Sequence, residues 1–144
     1  MRPEYHEQYQ EHGRRPSSGV PDGEELQMIR DSVLLPHLLT IVQRGTEDAQ
    51  SSAGVLQRLF VLVAQALHSR ISRDLYALRQ ELARRKIKVE VVEYAGVILY
   101  YRYTCRGYEE RIGIVREVMR AEIGAKLAGY LKEVLEPMSK GSPR

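Results

Sequence analysis

The sequence predicts a single α+β domain in the order α-α-β-β-α: two N-terminal helices, a β-hairpin and a C-terminal helix. Apolar residues recur every three or four positions before residue 86 and after residue 108, which is typical of helices. Between them lie two runs rich in β-branched and aromatic residues, which favour strands. A chain of 144 residues, 43% hydrophobic and 28% charged, has the length and composition of one globular domain.

We expect residues 22–136 to form this domain. Residues 1–21 and 137–144 are polar and contain proline and glycine, so they predict flexible tails with little to bury. The N-terminus lacks the apolar core of a secretory signal, and no apolar run approaches the ~20 residues that span a bilayer. Cys105 has no cysteine partner, which fits a reducing compartment. We therefore expect a cytoplasmic protein with no membrane partner.

The first helix is predicted to begin at Asp22. Glu25, three residues later, completes a capping box, in which two side chains each accept a hydrogen bond from the other residue's backbone N–H. Pro36 lacks an N–H and crowds the preceding turn, so we expect either a kink there or a second short helix from Pro36 to Arg44.

The second helix is predicted to have Thr46 as its cap and to run to about Arg85. Four successive apolar residues, Phe60 to Val63, cover the whole circumference of a helix at ~100° per residue. A helix that is apolar all round is buried on several sides, which a domain of this size can rarely achieve alone. This run predicts a subunit interface that includes Phe60, Val61 and Leu62.

Two strands, Ile87–Tyr94 and Val97–Cys105, are predicted to form a hairpin around a two-residue turn, Ala95-Gly96. Both faces of this hairpin are largely apolar, and an isolated hairpin is only marginally stable. Since helices can cover one face, we assign the face that carries Val92, Leu99 and Tyr101 to self-association. The last helix is predicted from about Glu109 to Glu136.

Cys105 and Arg111 have the spacing of a cysteine phosphatase loop, which also leads from a strand into a helix. Glu109 and Glu110 would lie inside the phosphate cradle and repel a dianion, so we interpret Cys105 as a strand-end residue. The histidines at positions 6, 12, 37 and 68 show no metal-ligand spacing. The sequence predicts no catalytic residue, metal site or cofactor, and it favours a non-enzymatic protein.

The densest basic residues lie between Arg70 and Lys88, along the second helix and into the first strand, and Arg102 and Arg106 lie further along the chain. An alternative hypothesis assigns nucleic-acid contact to six of them: Arg84, Arg85, Lys86, Lys88, Arg102 and Arg106. Residues 51–90 carry eight basic and three acidic side chains, which is a weak footprint for nucleic acid. The simpler interpretation is a solvated face, because Glu81 is interleaved with the arginines.

The segment from Glu81 to Arg111, ELARRKIKVEVVEYAGVILYYRYTCRGYEER, resembles small uncharacterised proteins of Gram-positive spore-forming bacteria. The shared features are a basic helix end, an IKV strand, a tyrosine-rich strand and a GYEE turn. The resemblance implies a bacterial cytoplasmic protein and no particular activity.

The first hypothesis is therefore a self-associating protein-interaction or regulatory protein. Its expected partner is a second copy of itself, as a homodimer or a higher oligomer, or another protein. The second hypothesis is a nucleic-acid-binding regulator.

Overall fold

The computed structural model describes residues 19–51 and 54–141, with side chains described as far as residue 136. Its elements are α1 (Gly23–Gln50), α2 (Val55–Arg84), β1 (Ile87–Ala95), β2 (Ile98–Cys105), β3 (Tyr108–Val115) and α3 (Arg116–Gly141). The predicted α+β class is confirmed, with two N-terminal helices, an antiparallel sheet and a C-terminal helix. The predicted tails lie outside the described residues, except for residues 19–21 and the backbone of 137–141. Val20 and Pro21 are buried.

Helix α1 begins with the predicted capping box. The N–H of Glu25 donates to Asp22 Oδ1 at 2.8 Å, and the N–H of Asp22 donates to Glu25 Oε1 at 3.2 Å. The helix then continues through Pro36 to Gln50, so no second short helix forms. Thr46 is not the cap of α2, because it lies inside α1 and its hydroxyl donates to the carbonyl of Val42 at 2.9 Å. A threonine satisfied in this way is compatible with a helix interior.

Helix α2 begins at Val55 and ends at Arg84, one residue before the predicted end. Lys86 follows in the left-handed region with φ of 63°, which ends the helix and directs the chain into β1. Further back along α2, its buried side chains recur at helical spacing: Ala64, Leu67, Ile71, Leu75 and Leu82.

The sheet has three strands in the order β1-β2-β3, and the third is one that the sequence analysis did not predict. Residues 109–115 were assigned to the last helix, but they belong to β3, and α3 begins only at Arg116. Arg106 and Gly107 take positive φ values of 50° and 95° in the turn before β3. In β3 the apolar Ile112 and Ile114 alternate with exposed positions, as is typical of a strand. The two glutamates at the start of β3 hide this alternation in the sequence, because they interrupt the pattern of apolar residues.

The predicted register of β1 and β2 is also wrong. Ala95 pairs with Ile98, so the turn is Gly96-Val97 rather than Ala95-Gly96, and Gly96 takes the positive φ of 64°. The shifted turn places Tyr94 opposite Leu99, and a β-bulge between Val91 and Glu93 then changes the register of residues 87–91 by one residue. A bulge places two residues opposite one, which sequence alternation alone does not reveal.

The chain divides into two compact units. The first combines the residues up to Val33 with Leu78–Val115, and the second combines Leu34–Ala77 with the residues from Arg116 onward. The most deeply buried side chains described in the first unit are Pro21, Ile29, Leu99, Tyr101, Tyr103, Cys105 and Ile114. Those of the second unit are Leu34, Leu38 and Ile71. Within the second unit, the Tyr130 hydroxyl of α3 donates to Asp74 of α2 at 2.7 Å.

Candidate functional site

In the second unit, the first two turns of α2 carry large apolar side chains in solvent. We call this set the α2 surface; its members are Val55, Leu56, Leu59, Phe60 and Leu62. Their exposed fractions are 78, 75, 52, 48 and 63% respectively. Of the three residues assigned to self-association on this helix, Phe60 and Leu62 thus lie in solvent, and Val61 is half-buried. Isolated exposed leucines are ordinary, but a contiguous apolar patch marks an interaction surface.

The geometry of α2 explains why these residues are not needed in the core. Leu62 precedes Ile71 by nine residues, so at ~100° per residue the two side chains leave the helix on opposite sides. Ile71 is 0% exposed and marks the buried side, whereas Leu62 is 63% exposed. Val55 and Leu59 lie on the side of Leu62, at the i, i+4 and i+7 positions of one stripe. This stripe therefore points away from the core of its own unit.

Phe60 is held in place by a close approach of α1. A Cβ atom added at Gly45 would lie 3.3 Å from Phe60 Cζ, so the ring packs directly against the α1 backbone. About half of the side chain remains exposed. A ring that is already ordered loses little rotamer freedom when a partner covers it, which favours association.

Two shallow grooves border the α2 surface within the second unit. One has a volume of about 440 Å³ and is lined by Ala49, Val61 and Leu62 together with the polar residues Gln50, Gln57, Arg58 and Gln65. The other has a volume of about 530 Å³ and includes Gly45, Leu56 and Phe60. Apolar ridges beside grooves are the arrangement by which helices pack against one another.

The sheet residues predicted for self-association are placed differently. Leu99 and Tyr101 are 1% and 2% exposed, so their assignment to a subunit surface is wrong. Both point to the buried face of the sheet, because the observed register and the third strand place them in the core of the first unit. Val92 is 40% exposed and lies in the bulge of β1.

Glu25 is a buried acidic residue of the first unit, at 6% exposure. Arg106 donates to both of its carboxylate oxygens, at 3.0 and 3.2 Å, and Arg85 donates to Oε2 at 3.4 Å. The hydrogen bond from Arg106 holds the pKa of Glu25 below its ordinary value, against the opposing effect of burial. This cluster ties the start of α1 to the end of α2 and to the β2–β3 turn. The capping box was its only sequence signal.

The remaining arginines of the predicted nucleic-acid set also contact carboxylates. Glu81 accepts hydrogen bonds from Arg84 and, at 2.7 Å, from Arg85; these bonds lower the pKa of Glu81 to about 2. Arg102 lies 2.8 Å from Glu90 and 3.5 Å from Glu109.

The two lysines of that set, Lys86 and Lys88, are exposed. In contrast, each of the four arginines of the predicted nucleic-acid set contacts a carboxylate. These contacts reduce the positive electrostatic potential that a phosphate backbone would meet.

Cys105 and Arg111 do not form a phosphate-binding loop. Cys105 is fully buried, and burial raises the pKa of its thiol. Arg111 lies in β3 opposite Arg102, with its guanidinium 4.4 Å from the centre of the Tyr100 ring. The intervening residues are mostly paired strand, so their backbone N–H groups do not converge on an anion. A buried thiol of raised pKa is a poor nucleophile.

Within residues 19–51 and 54–141, no group of three or more His, Cys, Asp or Glu side chains is arranged to hold a metal ion. In the same part of the chain, no helix has the length and apolar character needed to cross a membrane.

Comparison with known proteins identifies a family for this chain. The family model described as YhjD protein matches residues 20–135, which includes nearly all of the described chain. Neither the curated proteins nor the solved structures contain a match.

Proposed function

The chain belongs to the YhjD protein family, and we propose that it is a non-enzymatic protein that acts by self-association through the α2 surface. The observation that carries this proposal is the outward stripe formed by Val55, Leu59 and Leu62, each more than half exposed. We further propose that it acts in the cytoplasm. The single cysteine favours a reducing compartment, because small secreted domains commonly rely on paired cysteines.

A second copy of the chain is the partner that best suits the charges around this surface. The exposed side chains of Glu47 and Asp48 on α1 are acidic, and that of Arg58 on α2 is basic. In a two-fold interface, if one residue contacts a second residue of the other copy, the same contact is repeated with the two copies exchanged. A surface that carries both acidic and basic side chains can therefore pair with itself. A partner of uniform charge would be repelled by one of the two signs.

The exposed apolar area also supports association. Complete burial of a leucine or phenylalanine side chain contributes about 1.5–3 kcal/mol, and these five side chains are half to three-quarters exposed. Covering all of them on two copies contributes roughly 10–20 kcal/mol. That range is comparable to or above the ~4–15 kcal/mol that association costs in lost freedom.

Light scattering of the full chain over a wide range of protein concentration tests this proposal. Leu59→Asp places a charge in the centre of the α2 surface, and we expect it to reduce the molar mass by at least half. The matched control is Leu135→Asp on α3, since Leu135 is 41% exposed and belongs to the same unit. We expect the control to keep the wild-type mass. A monomeric wild type at the highest concentration, or a Leu59→Asp variant of unchanged mass, would refute the proposal.

A nucleic-acid-binding regulator remains an alternative outcome of these experiments. It would be supported if the wild type were monomeric and bound a labelled oligonucleotide with an affinity that fell steeply with salt. The resemblance to proteins of spore-forming bacteria stays a prediction about the source of the chain.

A further inference from the structure

We propose that the outer edge of β1 pairs with the same edge of a second copy, antiparallel and centred on Val89, so that two three-stranded sheets become one six-stranded sheet. This inference concerns the first unit and does not rest on the α2 surface.

The backbone groups of β1 are arranged to accept another strand. Among the described residues, β1 has β2 as its only strand neighbour. The N–H of Arg106 donates to the carbonyl of Lys86 at 3.1 Å, so Lys86 and Arg106 form a hydrogen-bonded pair of the antiparallel ladder. In an antiparallel ladder the hydrogen-bonded pairs alternate, so residues 88 and 90 bond towards β2. The N–H and C=O groups of Ile87, Val89 and Val91 consequently point to the outer edge.

Only a pairing centred on Val89 matches opposite charges. In that register Lys88 lies opposite Glu90 of the second copy, and the two-fold axis repeats this pair. Ile87 lies opposite Val91 on the other face; Ile87 is only 5% exposed, so on this face the pairing covers mainly Val91. Both charged side chains are exposed, and Val91 is 52% exposed. Directly opposed pairs of opposite charge stabilise a sheet, whereas like charges destabilise it.

The neighbouring registers are worse for a physical reason. A centre at Lys88 would place Lys88 opposite itself, and a centre at Glu90 would place Glu90 opposite itself. Both of these registers oppose like charges across the axis. A register that places an even-numbered residue of β1 opposite an odd-numbered one is excluded by the pleat, because side chains of directly opposed residues lie on the same face of a sheet. The sequence KVE at positions 88–90 is therefore complementary to itself in one antiparallel register.

The bulge limits the length of this interface. It lies between Val91 and Glu93, directly after the last residue that the Val89-centred pairing uses. Bulges on edge strands interrupt further pairing, which protects a protein from open-ended aggregation. Residues 87–91 thus form a short pairing segment with a defined end. A chain with this interface and the α2 surface carries two different two-fold contacts, so it assembles beyond a dimer.

Charge reversal and charge exchange test the β1 pairing in the full chain. Glu90→Lys places a lysine at position 90 opposite Lys88 of the second copy in both symmetry-related pairs. We expect this like-charge contact to raise the dissociation constant of the interface roughly ten- to a hundredfold. The exchange variant Lys88→Glu with Glu90→Lys restores opposite charges in the same register. We expect it to recover the wild-type mass, although it loses the contact of Arg102 with Glu90 in the same way as the single variant. Failure of the exchange variant to recover would overturn the proposed register.

Combination with Leu59→Asp separates this interface from the α2 surface. If both contacts exist, each single variant is a dimer, the double variant is a monomer and the wild type is larger than a dimer. If only β1 pairs, Leu59→Asp keeps the wild-type dimer and Glu90→Lys is a monomer. A monomeric Leu59→Asp variant at the concentration where the wild type is a dimer would overturn the β1 proposal and leave the α2 surface supported.

Amide hydrogen exchange supplies an independent readout. The N–H groups of Val89 and Val91 point to the outer edge, so we expect their protection to rise with protein concentration. The N–H groups of Lys88 and Glu90 bond to β2 and should be protected at every concentration. Rapid exchange at Val89 in the Leu59→Asp dimer would contradict the pairing.

Discussion

Replacing Glu25 by glutamine tests whether the buried charge cluster stabilises the first unit. Glutamine keeps the size of the side chain and an oxygen that can accept the Asp22 N–H, so the capping box is retained. The substitution removes the negative charge between Arg85 and Arg106. Loss of one partner from a fully buried ion pair costs about 3–5 kcal/mol. The arginine side chains here are 25% and 28% exposed, and solvent screening reduces the expected loss to about 2–3 kcal/mol.

The control for this prediction is Glu24→Gln. Glu24 also lies near Arg85, at 3.5 Å, but its side chain is 71% exposed, so we expect a loss of less than about 1 kcal/mol. Urea denaturation followed by circular dichroism measures both variants, and an unchanged slope with a lower midpoint indicates a loss of stability. Equal stability of the Glu25→Gln variant and the wild type would refute the reasoning.

The pH dependence of stability gives the same test a second readout. The pKa of Glu25 lies below its ordinary value of 4.5 in the folded chain, so the unfolded state binds the proton more tightly. The stabilisation by Glu25 is therefore complete above the unfolded pKa and is lost as the pH falls through the folded pKa. We expect the wild type to lose stability over this acidic range and Glu25→Gln to lose less. Parallel pH profiles for the two proteins would contradict the assignment.

Two further predictions concern the sheet. Gly113→Ala places a Cβ atom 2.9 Å from Ile98 Cγ2, so we expect a loss of about 1–3 kcal/mol by thermal denaturation. Gly129→Ala in α3 meets nothing within 4 Å and should instead gain about 1 kcal/mol; if both changes had the same sign, the crowding argument would fail. Cys105 is buried with a raised pKa, so iodoacetamide should react slowly with the native chain and rapidly in denaturant. Rapid alkylation of the native chain would show that the end of β2 opens readily.

Local sequence patterns predicted one end of α1 and one end of α2. The capping box located the start of α1, and the apolar spacing located α2 to within one residue at its C-terminal end. The continuous apolar run from Phe60 to Val63 also predicted that Phe60 and Leu62 belong to an interface. It did not select Val55 or Leu59 for the interface, because a helix that is apolar all round does not reveal which side its own core covers.

Local sequence patterns were enough to specify the class of fold, since periodic burial and helix caps act within one or two turns of chain. The third strand, the register of the hairpin and the partners of Glu25 were decided by tertiary structure. The two arginines that contact Glu25 are 60 and 81 residues away along the chain, and β3 forms where β2 offers it an edge. Such contacts depend on which helices and strands pack against one another, and the helix or strand propensity of a local segment does not specify that packing.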